Sequence, residues 1–149
     1  MPHFGLMNTE DSFKTEEGSL LRARLHIRAG KRRIRQAKIS AGIVTLYDAL
    51  VFAFLHYCMN PVRRSALIID EGEDLSDDRT AFTVLLRSKV VDDSFDYDAF
   101  DRLVEKASNE ELADYDCSSM LASFERLMTQ LSVMPFDENA LPPEDPSTF

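Results

Sequence analysis

Three histidines (His3, His26, His56), two cysteines (Cys58, Cys117) and an isolated aspartate, Asp48, are the residues whose chemistry could serve catalysis or metal binding in this chain. The histidines stand far apart, and none lies at an H-x₃₋₅-H spacing or beside a cysteine pair, so no zinc site is expected. Cys58 beside His56 on an apolar stretch reads as a packed thiol rather than a nucleophile with its base. Asp48 is the only acid between Glu17 and Asp70. Burying it without a partner would be costly, so it is expected to meet Arg24, Arg28 or another group of the preceding helix and to fix register there. An acid–base set of Asp48, His56 and Tyr47 or Tyr57 fails on distance, because positions 48 and 56 lie two turns apart on one helix, about 12 Å. No P-loop, G-x-G-x-x-G or G-x-S-x-G motif occurs. The acidic runs "DEGEDLSDD" and "DDSFDYDAFD" alternate carboxylates but miss the EF-hand pattern: the first lacks its closing glutamate, the second its glycine. No catalytic residue, metal or cofactor is assigned, and the expectation leans away from an enzyme.

The charge is better organised than these groups. The net charge is −9, yet residues 22–38, "RARLHIRAGKRRIRQAK", hold eight of the 17 Lys and Arg residues and no acid. Residues 18–47 carry +8, which leaves −17 for the remainder. Six acids crowd into Asp70–Asp78 and ten into Asp92–Asp116. Arg24, Arg28, Lys31, Arg35 and Lys38 recur at helical spacing, a basic stripe and the candidate binding face. Its expected counter-charges are Asp48 and the acidic runs.

The elements that must position this stripe follow from periodicity. Thr15 with Glu16 and Glu17 starts a helix. Leu20, Ala23, Ile27, Gly30, Ile34 and Ala37 form its apolar seam, and Gly30 marks a close neighbouring backbone. A second helix is predicted from about Ser40 to Met59, apolar on nearly every side, with Gly42, Thr45, Ala49 and Ala53 as a small-residue stripe. Its length approaches a bilayer span, but Asp48 and His56 argue for a core helix and against a membrane. Asn60 then Pro61 caps a short helix to about Ile69. Further helices are predicted at 77–89 and from about Tyr97. Ser108 to Glu111 matches a capping box, S-x-x-E, and the following stretch is one long helix or two broken near Asp116. The run "PFDENALPPEDPSTF" carries four prolines and no period, so 135–149 is expected to be an extended or disordered arm. The fold class is all-α: an up-and-down bundle of about four to six helices over 1–134, with an irregular C-terminal arm.

The stretch "RARLHIRAGKRRIRQAKISAGIVTLYDALVFAFLHYC" is similar to the first helical hairpin of HEPN domains, small helical domains of prokaryotic toxin and antitoxin systems. Gly42, Tyr47, Ala49 and Leu50 approximate that family's A-x₃₋₄-Y-x-A-L. The resemblance covers about 40 residues and implies a four- or five-helix bundle, often a homodimer. Family ribonucleases carry R-x₄₋₆-H. Arg22 and His26 come nearest here, one residue too close and in the wrong helix, so the resemblance implies a non-catalytic member.

Function is therefore expected to be a non-catalytic helical interaction module, dimerising or docking a protein partner. The alternative is nucleic-acid or nucleotide binding through 22–38, with steep salt dependence. The absence of aromatics near the stripe and the overall acidity weigh against that alternative. Two cysteines and no signal peptide lead to the expectation of a cytoplasmic protein with reduced thiols.

Overall fold

The computed structural model describes residues 15–149 and is all-helical among them. Six α-helices follow in order: α1 Glu16–Arg35, α2 Ile39–Met59, α3 Pro61–Ser65, α4 Asp78–Arg87, α5 Tyr97–Asn109 and α6 Ser118–Gln130. Two 3₁₀ turns, Glu138–Ala140 and Pro146–Thr148, interrupt the arm.

The α1–α2 hairpin is the centre of the molecule. Thr15 Oγ1 accepts from Gly18 N at 2.9 Å and starts α1. Antiparallel packing shows in the pairings: Ser19 Oγ lies 3.6 Å from Met59 Sδ near one end, and Arg33 Nη1 donates to Thr45 Oγ1 near the other. At the end nearest the connecting turn, Gly30 and Gly42 face each other. A Cβ on Gly42 would sit 2.6 Å from Ile34 Cγ1 and 2.8 Å from Gly30 O, and one on Gly30 would sit 2.8 Å from Leu46 Cδ2. The sequence placed both glycines at the crossing, and only a missing side chain permits this approach. α2 is long and apolar enough to cross a membrane by length and composition, but 67% of its most apolar window is buried within this fold.

α5 runs antiparallel to α2. Ser40 Oγ donates to Glu110 O (2.7 Å) beyond the C-terminal end of α5, while Tyr97 at its start and Tyr47 of α2 both donate to Asp78 Oδ2. Phe54, Phe82, Phe95, Phe100 and Phe124 form a chain of ring contacts that ties α2, α4, α5 and α6 into one core. α6 lies antiparallel to α1, with Lys31 on Glu125 (2.8 Å) and Arg24 on Val133 O beyond its end (2.9 Å). The four long helices therefore alternate up and down around a continuous apolar cluster.

Several boundaries differ from those predicted. The expected capping box does not start a helix: Ser108 lies in the last turn of α5, its Oγ bonded to Val104 O at 2.8 Å. Glu111 instead accepts from Ile39 N at 3.1 Å and caps α2, whose own N-cap, Lys38, provides no side-chain acceptor. α3 stops at Ser65, because Ile68 N and O are taken by Ser88 Oγ and Arg87 Nη1 at the end of α4. Between Glu110 and Leu131 only Ser118–Gln130 is helical. Asn60 caps α3 as predicted, accepting from Arg63 N at 2.9 Å.

Candidate interaction face on α1

Arg24, Arg28 and Arg32 stand one turn apart along α1, and residues 133–149 run beside them in the same order. Arg24 Nε donates to Val133 O, and its guanidinium lies 5.5 Å from the Phe136 ring centroid. Arg28 donates to the carbonyls of Glu138 (3.1 Å) and Pro142. Arg32 Nε reaches Glu144 Oε2 at 3.2 Å, and its guanidinium covers the Phe149 ring at 4.2 Å. Glu144 Oε2 also lies 3.9 Å from Arg28 Nε, so one carboxylate bridges two guanidiniums. Arg32 further donates to Gln36 Oε1 at 3.0 Å.

Three predicted stripe members are thus engaged, Arg24 and Arg28 by the arm and Lys31 by Glu125 of α6. Arg35 and Lys38 are exposed and take no carboxylate among the described residues. Arg32 was missing from the predicted stripe, although it completes the 24, 28, 32 row at four-residue steps. Lys31 fits the same face at a step of three, so spacing by itself does not distinguish the two rows.

The expected counter-charges are corrected. The acidic runs do not reach the stripe; they pair with Arg79, Arg87 and Arg126. Arg79 bridges Asp98 and Asp101, Arg87 holds Glu73 (2.6 Å) and Asp70 (3.3 Å), and Arg126 holds Asp92 (2.6 Å). Hydrogen bonds to Arg87 hold the Glu73 carboxyl down at about 2, and those to Arg126 push Asp92 lower still. Other acids bind local backbone: Asp77 and Asp96 cap α4 and α5, and Asp74, Asp92 and Asp116 each accept from the serine two residues on. That D-x-S spacing is visible in the sequence and marks turns rather than cation sites. Among the described residues no cluster of His, Cys, Asp and Glu could hold a metal; His3 lies outside them.

Asp48 is also corrected: it makes no ion pair with Arg24 or Arg28, which face the arm on another side of α1. It is half-buried at the edge of a shallow depression of about 540 Å³ shared with Arg33, Ser40 and Thr45. Burial raises its carboxyl pKa, and the Arg33 guanidinium opposes that shift. His56 is buried between α1 and α3, with Nδ1 3.3 Å from Glu16 O and Nε2 3.5 Å from Arg63 Nη1. Arginine only donates, so Nε2 accepts and the ring is neutral with its proton on Nδ1. Burial lowers its pKa in the same direction. His26 Nδ1 bonds Arg22 O at 2.7 Å within α1, and burial lowers it as well. Both thiols are buried, and burial raises their pKa values.

The arrangement can therefore hold peptide carbonyls, a carboxylate and aromatic rings along one row of guanidiniums. Comparison of the chain with family models, with curated proteins and with solved structures finds no match.

Proposed function

We propose that this chain is a non-catalytic helical interaction module that dimerises or docks a protein partner. The observation that carries the reading is the chemistry filling the basic face of α1: three main-chain carbonyls, one carboxylate and two phenyl rings, all polypeptide groups. A planar guanidinium fork suits such groups as well as it suits phosphate, so the face reads proteins with chemistry it already uses. The acids outside the stripe give the rest of the molecule a charge that repels a polyanion. Neutral buried histidines and raised thiol pKa values favour packing roles for His26, His56, Cys58 and Cys117. The antiparallel α1–α2 hairpin suits the resemblance to HEPN domains that lack R-x₄₋₆-H, and the two unpaired thiols suit a cytoplasmic setting.

Nucleic-acid binding through 22–38 is the second reading, favoured by the exposed Arg35 and Lys38. It would use Arg24, Arg28 and Arg32 only after the arm has left. A low-salt gel shift with single-stranded RNA separates the two readings, alongside light scattering over a concentration series. No RNA complex is expected at micromolar protein, and self-association is expected only as the concentration series approaches the order of millimolar. A complex whose affinity falls steeply with salt would overturn the docking reading.

A further inference from the structure

We propose that the Arg24–Arg28–Arg32 face of α1 is a receptor surface for an extended, acidic, proline-bearing segment, filled in cis by residues 135–149 and in trans by the same segment of a second copy. The proposal rests on the protein-docking reading and names its site and partner.

Register is the first support. Phe136 lies at Arg24, Glu138 and Pro142 at Arg28, and Glu144 and Phe149 at Arg32, so the arm is read stepwise along two turns of helix. The chemistry of the arm is the second. Pro142 and Pro143 have no N–H and keep the chain extended between the two 3₁₀ turns, which leaves carbonyls available to accept from outside, and Pro146 opens the second turn. The arm carries Asp137, Glu138, Glu144 and Asp145 and no Lys or Arg, the complement of α1.

The third support is how little of the arm belongs to the core. Among its residues whose side chains are described from Asp137 onward, none is buried, and Phe149 stays 50% exposed beneath Arg32. Apart from Glu144, whose side chain is only 12% exposed between Arg28 and Arg32, the segment is held by contacts at the surface and opens at less cost than global unfolding. An arm that leaves its own α1 exposes a surface already complementary to the identical arm of another copy. Exchange therefore remakes every contact without new chemistry. In cis the arm acts at an effective concentration on the order of millimolar, so exchange becomes visible only when the cis contact is weakened.

Two full-length variants test this by complementation. Glu144→Ala with Phe149→Ala weakens the arm and leaves the face; Arg28→Ala with Arg32→Ala removes the face and leaves the arm. Each alone should stay mostly monomeric by light scattering. Their mixture should associate roughly tenfold more tightly than either alone, and high salt should abolish the association. A fluorescent peptide of residues 135–149 should bind the arm variant and not the face variant. Thermal melts check folding, and Phe149→Ala alone serves if the double arm variant melts early. No association in the mixture and no peptide binding would overturn the proposal while leaving docking elsewhere on the molecule intact. If the arm variant binds single-stranded RNA more tightly than the peptide, both this proposal and the docking reading fail.

Discussion

Ala37, Lys89 and Ser132 hold left-handed backbone, with φ of 63°, 60° and 63°. Each follows the C-cap of a helix, α1, α4 and α6 respectively, and each closes the same double hydrogen bond. At α1, Ala37 N bonds Ile34 O (3.0 Å) and Lys38 N bonds Arg33 O (2.9 Å); Lys89 with Val90, and Ser132 with Val133, repeat the pattern. Glycine ordinarily fills this position, and a Cβ there costs roughly 1–2 kcal/mol. Ala37→Gly should therefore raise stability by about 0.5–1 kcal/mol after the entropy of glycine is counted, seen as a higher urea midpoint at unchanged slope. An unchanged midpoint would mean that the left-handed residue is relaxed. Asp48 offers a second test. Its pKa is raised in the folded state, so its contribution to stability is present below the unfolded carboxylate range and is lost as pH rises through the raised value. Asp48→Asn should melt higher than the parent at neutral pH, and the gap should close in acid. A gap that persists in acid would show that charge is not the cause.

At the scale of elements, the Gly30–Gly42 crossing decides how closely α1 and α2 approach. Gly42→Ala sets a methyl 2.8 Å from a backbone carbonyl that cannot turn aside. Overpacking there should cost about 1–3 kcal/mol, more than the roughly 1 kcal/mol of helix propensity that alanine returns. Gly30→Ala meets side-chain atoms of Leu46 first and should cost less, an ordering that denaturation of the two variants checks. The loop 66–77 is fastened differently, through Arg87 to Ile68 O, Asp70 and Glu73. Arg87→Ala should speed amide exchange at 68–73 while the melting temperature hardly moves, because these half-buried contacts lie outside the apolar core. These features differ in legibility. The glycines announced themselves by interrupting a helical seam, whereas Glu111 looked like the end of a local capping box and serves α2 from 72 residues away. Pattern reading favours the local partner, and here the N-terminus of α2 had the greater need of an acceptor.

For the whole molecule, one apolar cluster extends from Ala23 to Val133, and Phe124 is fully buried within it against Phe100 at a ring separation of 6.0 Å. Phe124→Ala should lower stability by about 3–5 kcal/mol. The loss should appear equally in α1, α2 and α6 amide exchange, because these helices share that cluster. A loss confined to α6 would mean that the helices unfold separately. The charge segregation also takes its meaning at this scale: a basic helix covered by its own acidic arm, and acidic turns answered by Arg79, Arg87 and Arg126.

Periodicity and end signals alone determined the helical class, the N-caps at Thr15 and Asn60, the two glycines of the crossing and the basic stripe, because each is a relation between residues within a turn or two. Tertiary structure decided what answers the stripe. Asp48 and the acidic runs were plausible counter-charges by type, but an ion pair needs an approach within about 4 Å, and only folding brings Glu144 and the carbonyls of 133–142 to Arg24, Arg28 and Arg32. Those partners lie 109 to 116 residues away in sequence, where the period of a helix carries no information.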